Sequence, residues 1–156
     1  MDITITKLTT ADYRLLIELL DVYEEAFDLT DFRPPPADYL ETLLRHPTML
    51  FLVATRKGKV VGGLTAFTLP SVYYPASELY IYDFAVRPAC QRQGIGTAML
   101  KELRDHCTRS GIKEIFVQAD HPDHHAIEFY QKNGGTPEDV IHFSFDIPTS
   151  DRPPRR

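Results

Sequence analysis

The stretch from Ser77 to Cys107 changes its period partway along. "SELYIYDFAV" is a β-prone run, whereas Ile95, Met99, Leu103 and Cys107 recur on one face of a helix. Between them, "RPACQRQGIG" carries two glycines directly into the helix start. A turn of this kind adds its own backbone amides to the unpaired N–H groups of a helix N-terminus, which makes an anion site. Gly94 and Gly96 leave room for a phosphate to approach the backbone, and Arg92 offers a charge-assisted contact. No G-K-[ST] follows, so this is not a Walker A loop. The third glycine of a dinucleotide fingerprint is missing too.

The flanking sequence extends this strand–turn–helix in both directions. "ITITKL" (Ile3 to Leu8) alternates like a short strand, and Thr9 or Thr10 can cap a helix over Ala11 to Phe27. "DFRPPP" breaks that helix, and Ala37 to Arg45 reads as a second, short one. Met49 to Thr55 and Val60 to Leu69 form a hairpin about "RKGK". After the glycine turn, the helix ends at Gly111, Lys113 to Asp120 is a strand, and His124 to Lys132 is a helix closed by "NGG". "VIHFSFDI" (Val140 to Ile147) reads as a last strand, in which His142 fits a core histidine. The order β-α-α-β-β-β-α-β-α-β predicts an α/β fold, a mixed sheet covered by helices. Residues 1–147 read as one domain and 148–156 as a polar tail.

Composition narrows the partners. The formal net charge is -5, which argues against nucleic acid and is compatible with a cationic substrate. No apolar run approaches the ~18 residues of a membrane span, and the start of the sequence has no secretory pattern. Cys90 and Cys107 form no CxxC motif, so a reduced, cytoplasmic protein is the default. His121, His124 and His125 lack a counterpart with metal-ligand spacing, so no metal is expected. One residue stands out. Asp83 sits inside an otherwise apolar and aromatic strand, where aspartate is disfavoured and an unpaired buried carboxylate is costly.

"Q-R-Q-G-I-G" resembles the acetyl-CoA pyrophosphate motif, Q/R-x-x-G-x-G/A, of the GNAT N-acetyltransferase superfamily. "HHAIEFYQKNGG" resembles the motif that follows it there. "SELYIYDFAV", "RQGIGTAML", "VQADHPDHHAIEFYQKNGG" and "EDVIHFSFDI" look like the type I aminoglycoside 3-N-acetyltransferases, the gentamicin-modifying group. The likeness spans about Asp38 to Ile147; "DLTDFRPPP", upstream of it, has little to match.

This resemblance implies the GNAT fold, acetyl-CoA as co-substrate, a homodimer, and direct attack of an amine on the thioester in a ternary complex. Phe84, Ala85 and Val86 would hold the pantetheine where the strand from Tyr80 splays from its neighbour. Gln91, Arg92, Gln93, Gly94, Ile95, Gly96 and Thr97 would hold the pyrophosphate. An amine attacks only as the free base, so a proton acceptor is needed. Asp83 is the candidate, as base or as ammonium anchor; a half-buried carboxylate gains basicity. A structural aspartate bonded to neighbouring backbone is the competing reading. Tyr130 is the candidate general acid, with core packing as the alternative. Tyr82, Asp120, Asp123 and Glu138 are candidate contacts to a polycationic acceptor, against a plain solvated acidic loop. Tyr73 and Tyr74 are weighed as cleft residues against simple packing.

The leading expectation is therefore acetylation of the 3-amino group of an aminoglycoside, which removes a charge the antibiotic uses to bind RNA. Two alternatives remain open: acetylation of another small amine, such as a polyamine or amino sugar, and a non-catalytic CoA-binding module.

Overall fold

The "RKGK" hairpin forms the centre of the sheet. Its first strand, β2 (Met49–Arg56), is buried on both faces, and its second, β3 (Lys59–Pro70), follows after the two-residue turn Lys57-Gly58. In the computed structural model, which describes residues 2–147, these two are flanked by β1 (Thr4–Lys7) and β4 (Ser77–Val86), with β5 (Ile112–Val117) outside β4. The sheet order is β1-β2-β3-β4-β5. Every pairing is antiparallel except β4 with β5, which is parallel. Parallel neighbours need a crossover. Here that is a 3-10 turn (Pro88–Cys90) followed by α3 (Ile95–Arg109).

Helices cover the two faces unequally. The apolar stripe of α3, with Ile95, Met99, Leu103 and Cys107, packs on Leu52, Leu64, Leu79 and Ile81. On the other face, α1 (Tyr13–Ala26) and α2 (Ala37–Arg45) bring Leu16, Leu19, Val22 and Leu40 against Phe51, Val53 and Ala85. Burying each such side chain contributes about 1.5–3 kcal/mol. α4 (His124–Lys132) completes the set, and the amides of Gly134 and Gly135 close it by donating to the carbonyls of Gln131 and Tyr130. The expected fold class and the order of elements through α4 are as observed.

Two local expectations need correction. The N-cap position of α1 is held by Asp12, not by Thr9 or Thr10. Thr9 instead donates from its amide and its hydroxyl to Asp12 Oδ2, each at 2.7 Å, and these bonds hold the Asp12 carboxyl below its usual range. Val140 to Ile147, expected as the last strand, lies in neither helix nor strand. Alternation gives a segment the capacity to join a sheet, but a strand exists only when its backbone groups pair with an edge. His142 is accordingly exposed instead of buried in a core, and its Nδ1 accepts from the side-chain amide of Gln118 at 3.1 Å. The polar tail at 148–156 lies outside the described residues.

Candidate active site

The site begins where the sheet stops being complete. β4 pairs with β3 along its whole length, from Ser77↔Pro70 to Val86↔Gly62, but it pairs with β5 only from Ser77 to Ile81. Beyond Ile81↔Val117 the two parallel strands separate. The splay expected from Tyr80 is present, one residue further along. On that side β5 pairs with none of Tyr82 to Val86, and the Gln91 side chain takes up the Val86 carbonyl.

A register shift at the same point turns the strand. Asp83 lies opposite Thr65, whereas Ile81 lies opposite Ala66, so Tyr82 is an extra residue in β4. Such a bulge reverses which residues face which side. Leu79 and Ile81 face the α3 core, and beyond the bulge Phe84 and Val86 face that side while Ala85 faces α1. Asp83, two residues before Ala85, therefore shares the α1 side with Thr65. It is only 8% exposed. The Thr65 hydroxyl is hydrogen-bonded to the Tyr23 hydroxyl of α1 at 2.9 Å, so a buried polar group from α1 reaches the residue beside Asp83.

A cleft of about 970 Å³ opens between the glycine turn and α4 and reaches Ala26 and Phe27 at the end of α1. Of the expected cofactor residues, Phe84, Ala85, Val86, Gln91, Arg92, Gly94, Ile95, Gly96 and Thr97 line it, and Gln93 does not. The Gln93 side chain accepts from Arg56 and donates to the Ala89 carbonyl, which fixes the turn from behind. Gln91 donates to the Val86 carbonyl at 3.0 Å and ties the turn to the strand end. Gly94, at φ 79, occupies the N-cap of α3 without a side chain, so no cap shields the first-turn amides. Arg92 is also left-handed, at φ 58, a conformation that costs a non-glycine residue about 1–2 kcal/mol. Gly96 has a second reason to be glycine: an added Cβ would lie 3.0 Å from Phe129 Cε2, so α4 packs closely over this turn.

The cleft brings cationic side chains to the glycine turn. Arg92 and Lys132 line it, against the carboxylate of Asp123 and with Glu128 paired to Lys132 at 2.6 Å, in a protein of formal net charge -5. Together with the unshielded amides of α3, these cations suit a polyanionic ligand such as the phosphates of a coenzyme. The cleft and the splay meet at Phe84, which lines the cleft and belongs to the half of β4 beyond its last pair with β5. The residues present therefore fit CoA.

Tyr130 stands in this cleft, edge-on to Phe84 with ring centroids 6.4 Å apart. Burial, with a smaller contribution from the Asp123 charge, pushes its phenol up to about 12. It is a weaker acid than the sequence alone implies.

The acidic residues do not gather into one patch. Asp123 is the N-cap of α4, and its Oδ1 accepts from the Ala126 amide at 3.0 Å. Glu138 lines a separate groove beside β5, and Asp120 lines neither that groove nor the cleft. Tyr73 and Tyr74 are at the tip of the β3–β4 hairpin, at the far end of β4 from the glycine turn. Tyr82 is 57% exposed and belongs to a cluster that composition alone did not single out. Its ring meets Phe67 and Tyr80 edge-on at 5.8 and 5.9 Å, and Tyr80 stacks on Phe116 at 5.0 Å. The Tyr80 hydroxyl donates to Gln118 Oε1 at 2.9 Å. Phe116 and Gln118 could have been found from the alternation of β5, which puts them on one face.

Known proteins share this fold. An aminoglycoside acetyltransferase, HMB0005, from an uncultured soil metagenomic sample is 37% identical, with a TM-score of 0.88 over 96% of this chain and 100% of that one. A second from such a sample, meta-AAC0020, in complex with sisomicin, is 33% identical, with a TM-score of 0.91 over 94% of this chain and 97% of that one. Among curated proteins, the IAA acetyltransferase of Azospirillum brasilense is 30% identical over 122 residues, 76% of this chain and 73% of that protein. The profile described as "Acetyltransferase (GNAT) family" matches residues 16–135, which takes in α1 through the closing turn of α4 and hence the splay, the glycine turn and Tyr130. A five-stranded mixed sheet opened between two parallel strands, with a glycine turn at the mouth, is thus accompanied by the sequence of one family throughout: the chain belongs to the GNAT acetyltransferases.

Proposed function

We propose that this acetyltransferase moves the acetyl group of acetyl-CoA to the 3-amino group of an aminoglycoside, by direct attack in a ternary complex. The observation that carries the reading is the position of Asp83. It lies two residues beyond the last β4–β5 pair, buried, on the α1 side of the sheet and next in sequence to Phe84 of the cleft that fits CoA. An amine approaching from that face meets a carboxylate before it meets the splay. The likeness to two aminoglycoside acetyltransferases at 33% and 37% identity supports the acceptor class.

Acetyl-CoA supplies the activated thioester; the rest falls to the chain. Gly94 to Thr97 and Arg92 hold the phosphates at the N-terminus of α3. The backbone of Phe84 to Val86, past the last pair with β5, lines up the pantetheine arm. Asp83 draws in the ammonium group and takes its proton, or orders the water that does. Tyr130 donates a hydrogen bond toward the sulfur. With its phenol at about 12, above a thiol at roughly 8.5, it would keep the proton and stabilise the departing thiolate by that hydrogen bond. The aromatic row of Tyr82, Tyr80 and Phe116 gives the sugar rings a flat, exposed wall.

The test is incubation of the protein with acetyl-CoA and gentamicin, sisomicin or spermidine, followed by mass spectrometry. One added acetyl group on the aminoglycosides, located at the 3-amino group by NMR, is the expected result. Acetylation of spermidine alone would move the assignment to another amine. Binding of acetyl-CoA with no amine modified would mark a non-catalytic module.

A further inference from the structure

We propose that the hydroxyls of Tyr23 and Thr65 act as one positioning pair, which holds the Asp83 carboxylate toward the acceptor amine. This role rests on the reading of Asp83 as base or ammonium anchor, and the two can fail separately.

Polar groups from three elements meet in the apolar layer under α1. Tyr23, Thr65 and Asp83 are 6%, 6% and 8% exposed. Tyrosine apart, Thr65 and Asp83 are the only buried polar or charged residues among those described. Their meeting depends on the bulge. With Ala66 opposite Ile81, a regular ladder would set Tyr82 opposite Thr65 and Asp83 opposite Leu64. Leu64 is fully buried in the apolar core under α3. The extra residue moves Asp83 one position along, to Thr65. Side chains directly opposed in this way have Cβ atoms about 4.5–5.5 Å apart.

The hydroxyl pair has a proton to offer. Two hydroxyls own two protons, and the bond between them, at 2.9 Å, uses one. Whichever hydroxyl donates, the other proton remains. An ionised carboxylate only accepts, and burial makes an unmet acceptor costly. Asp83 is the acceptor across the strand pair from Thr65. A charge-assisted bond from the pair fixes the carboxylate in one orientation and leaves lone pairs for the incoming ammonium group.

The mounting of α1 suits a group that must be aimed. Before Tyr23, Glu18 Oε2 accepts from the Val60 amide at 3.1 Å. After it, Glu25 pairs with Arg87, whose Nε donates to the Val60 carbonyl at 3.0 Å. Both clamps close on one residue at the start of β3, so α1 is fixed along that strand on either side of Tyr23. Phe27 stacks on the Tyr23 ring, with centroids 5.6 Å and planes 21° apart, and itself lines the coenzyme cleft. Packing needs only the Tyr23 ring. Its hydroxyl has to be desolvated, and only polar partners offset that.

The test is a double-mutant cycle of Tyr23→Phe with Asp83→Asn on the full chain. It reads kcat/KM at saturating acetyl-CoA for gentamicin, or for whichever of sisomicin and spermidine is acetylated instead. Tyr23→Phe alone should lower kcat/KM about 3-fold, through the KM of the amine. In the Asp83→Asn background it should lower it no further, because the group it positions is gone. Thr65→Val should cost about 10-fold, and Thr65→Ser, which keeps the hydroxyl, should retain most of the activity. Acetyl-CoA affinity by calorimetry should be unchanged in every variant, which a general loosening of the sheet would not spare. An equal fall for Tyr23→Phe in both backgrounds, or a Thr65→Ser as impaired as Thr65→Val, would overturn the pair and leave Asp83 as the base. Unchanged turnover by Asp83→Asn would overturn the base and the pair together.

Discussion

The two halves of β4 are built from similar residues and do different work. From Ser77 to Ile81 the strand has a neighbour on each side, and Leu79 and Ile81 are fully buried against α3. From Tyr82 to Val86 it keeps β3 but has lost β5, and a bulge has turned it over. The first half holds the sheet together. The second half is held in place by the first and has backbone groups to offer a ligand. A sheet interrupted in this way presents hydrogen-bonding groups rigidly, without the ordering cost that a loop would incur.

Substitutions can break that division. Ile81→Ala, in the paired half, should lower the unfolding free energy by about 2–5 kcal/mol through loss of packing and cavity formation. Denaturant titration would measure it, and kcat/KM of the folded variant should stay within a few-fold of the parent. Gly94→Ala, at the mouth of the other half, imposes a left-handed conformation on a residue with a Cβ, a cost of about 1–2 kcal/mol. It should weaken acetyl-CoA binding roughly 10-fold by calorimetry, 1.4 kcal/mol. Tyr130→Phe should lower kcat by a similar factor with little change in KM. That variant also has a pH signature. The folded phenol sits at about 12 and an unfolded one near ~10, so the folded state holds its proton more tightly. The parent's stability should be flat in this respect below about pH 10 and fall as pH rises from there to about 12, and Tyr130→Phe should lack that fall. The smallest effect belongs to Tyr23→Phe, which removes the hydroxyl bonded to Thr65: about 1 kcal/mol of stability. Because Thr65 is opposite Asp83, a measurable rise in the acceptor KM should accompany it.

Much of this was legible beforehand, for definite reasons. Helix periodicity identified α1 and α3, proline breakers and a closing glycine pair bounded α2 and α4, and the glycine turn was legible because its function depends on backbone, which glycine spacing reports directly. Asp83 stood out because its residue type conflicts with its strand. Three things were not legible. The bulge at Tyr82 is a matter of register between two strands, and nothing in either strand alone announces it. The second role of Asp123, as the α4 cap through its Oδ1 and the Ala126 amide, did not show beside its reading as a substrate contact. The alternation of "VIHFSFDI" gave a strand, yet alternation cannot say which edge, or whose, the strand will join.

The central claim is that the half of β4 beyond its last pair with β5 carries the chemistry through Asp83. The most direct measurement compares Asp83→Asn with the parent in two assays on the same preparation: kcat/KM for gentamicin with saturating acetyl-CoA, and acetyl-CoA affinity by calorimetry. Loss of a positioned base predicts a fall of at least about 100-fold in kcat/KM with acetyl-CoA affinity unchanged. Unchanged turnover, or a loss that follows the coenzyme affinity, would contradict it.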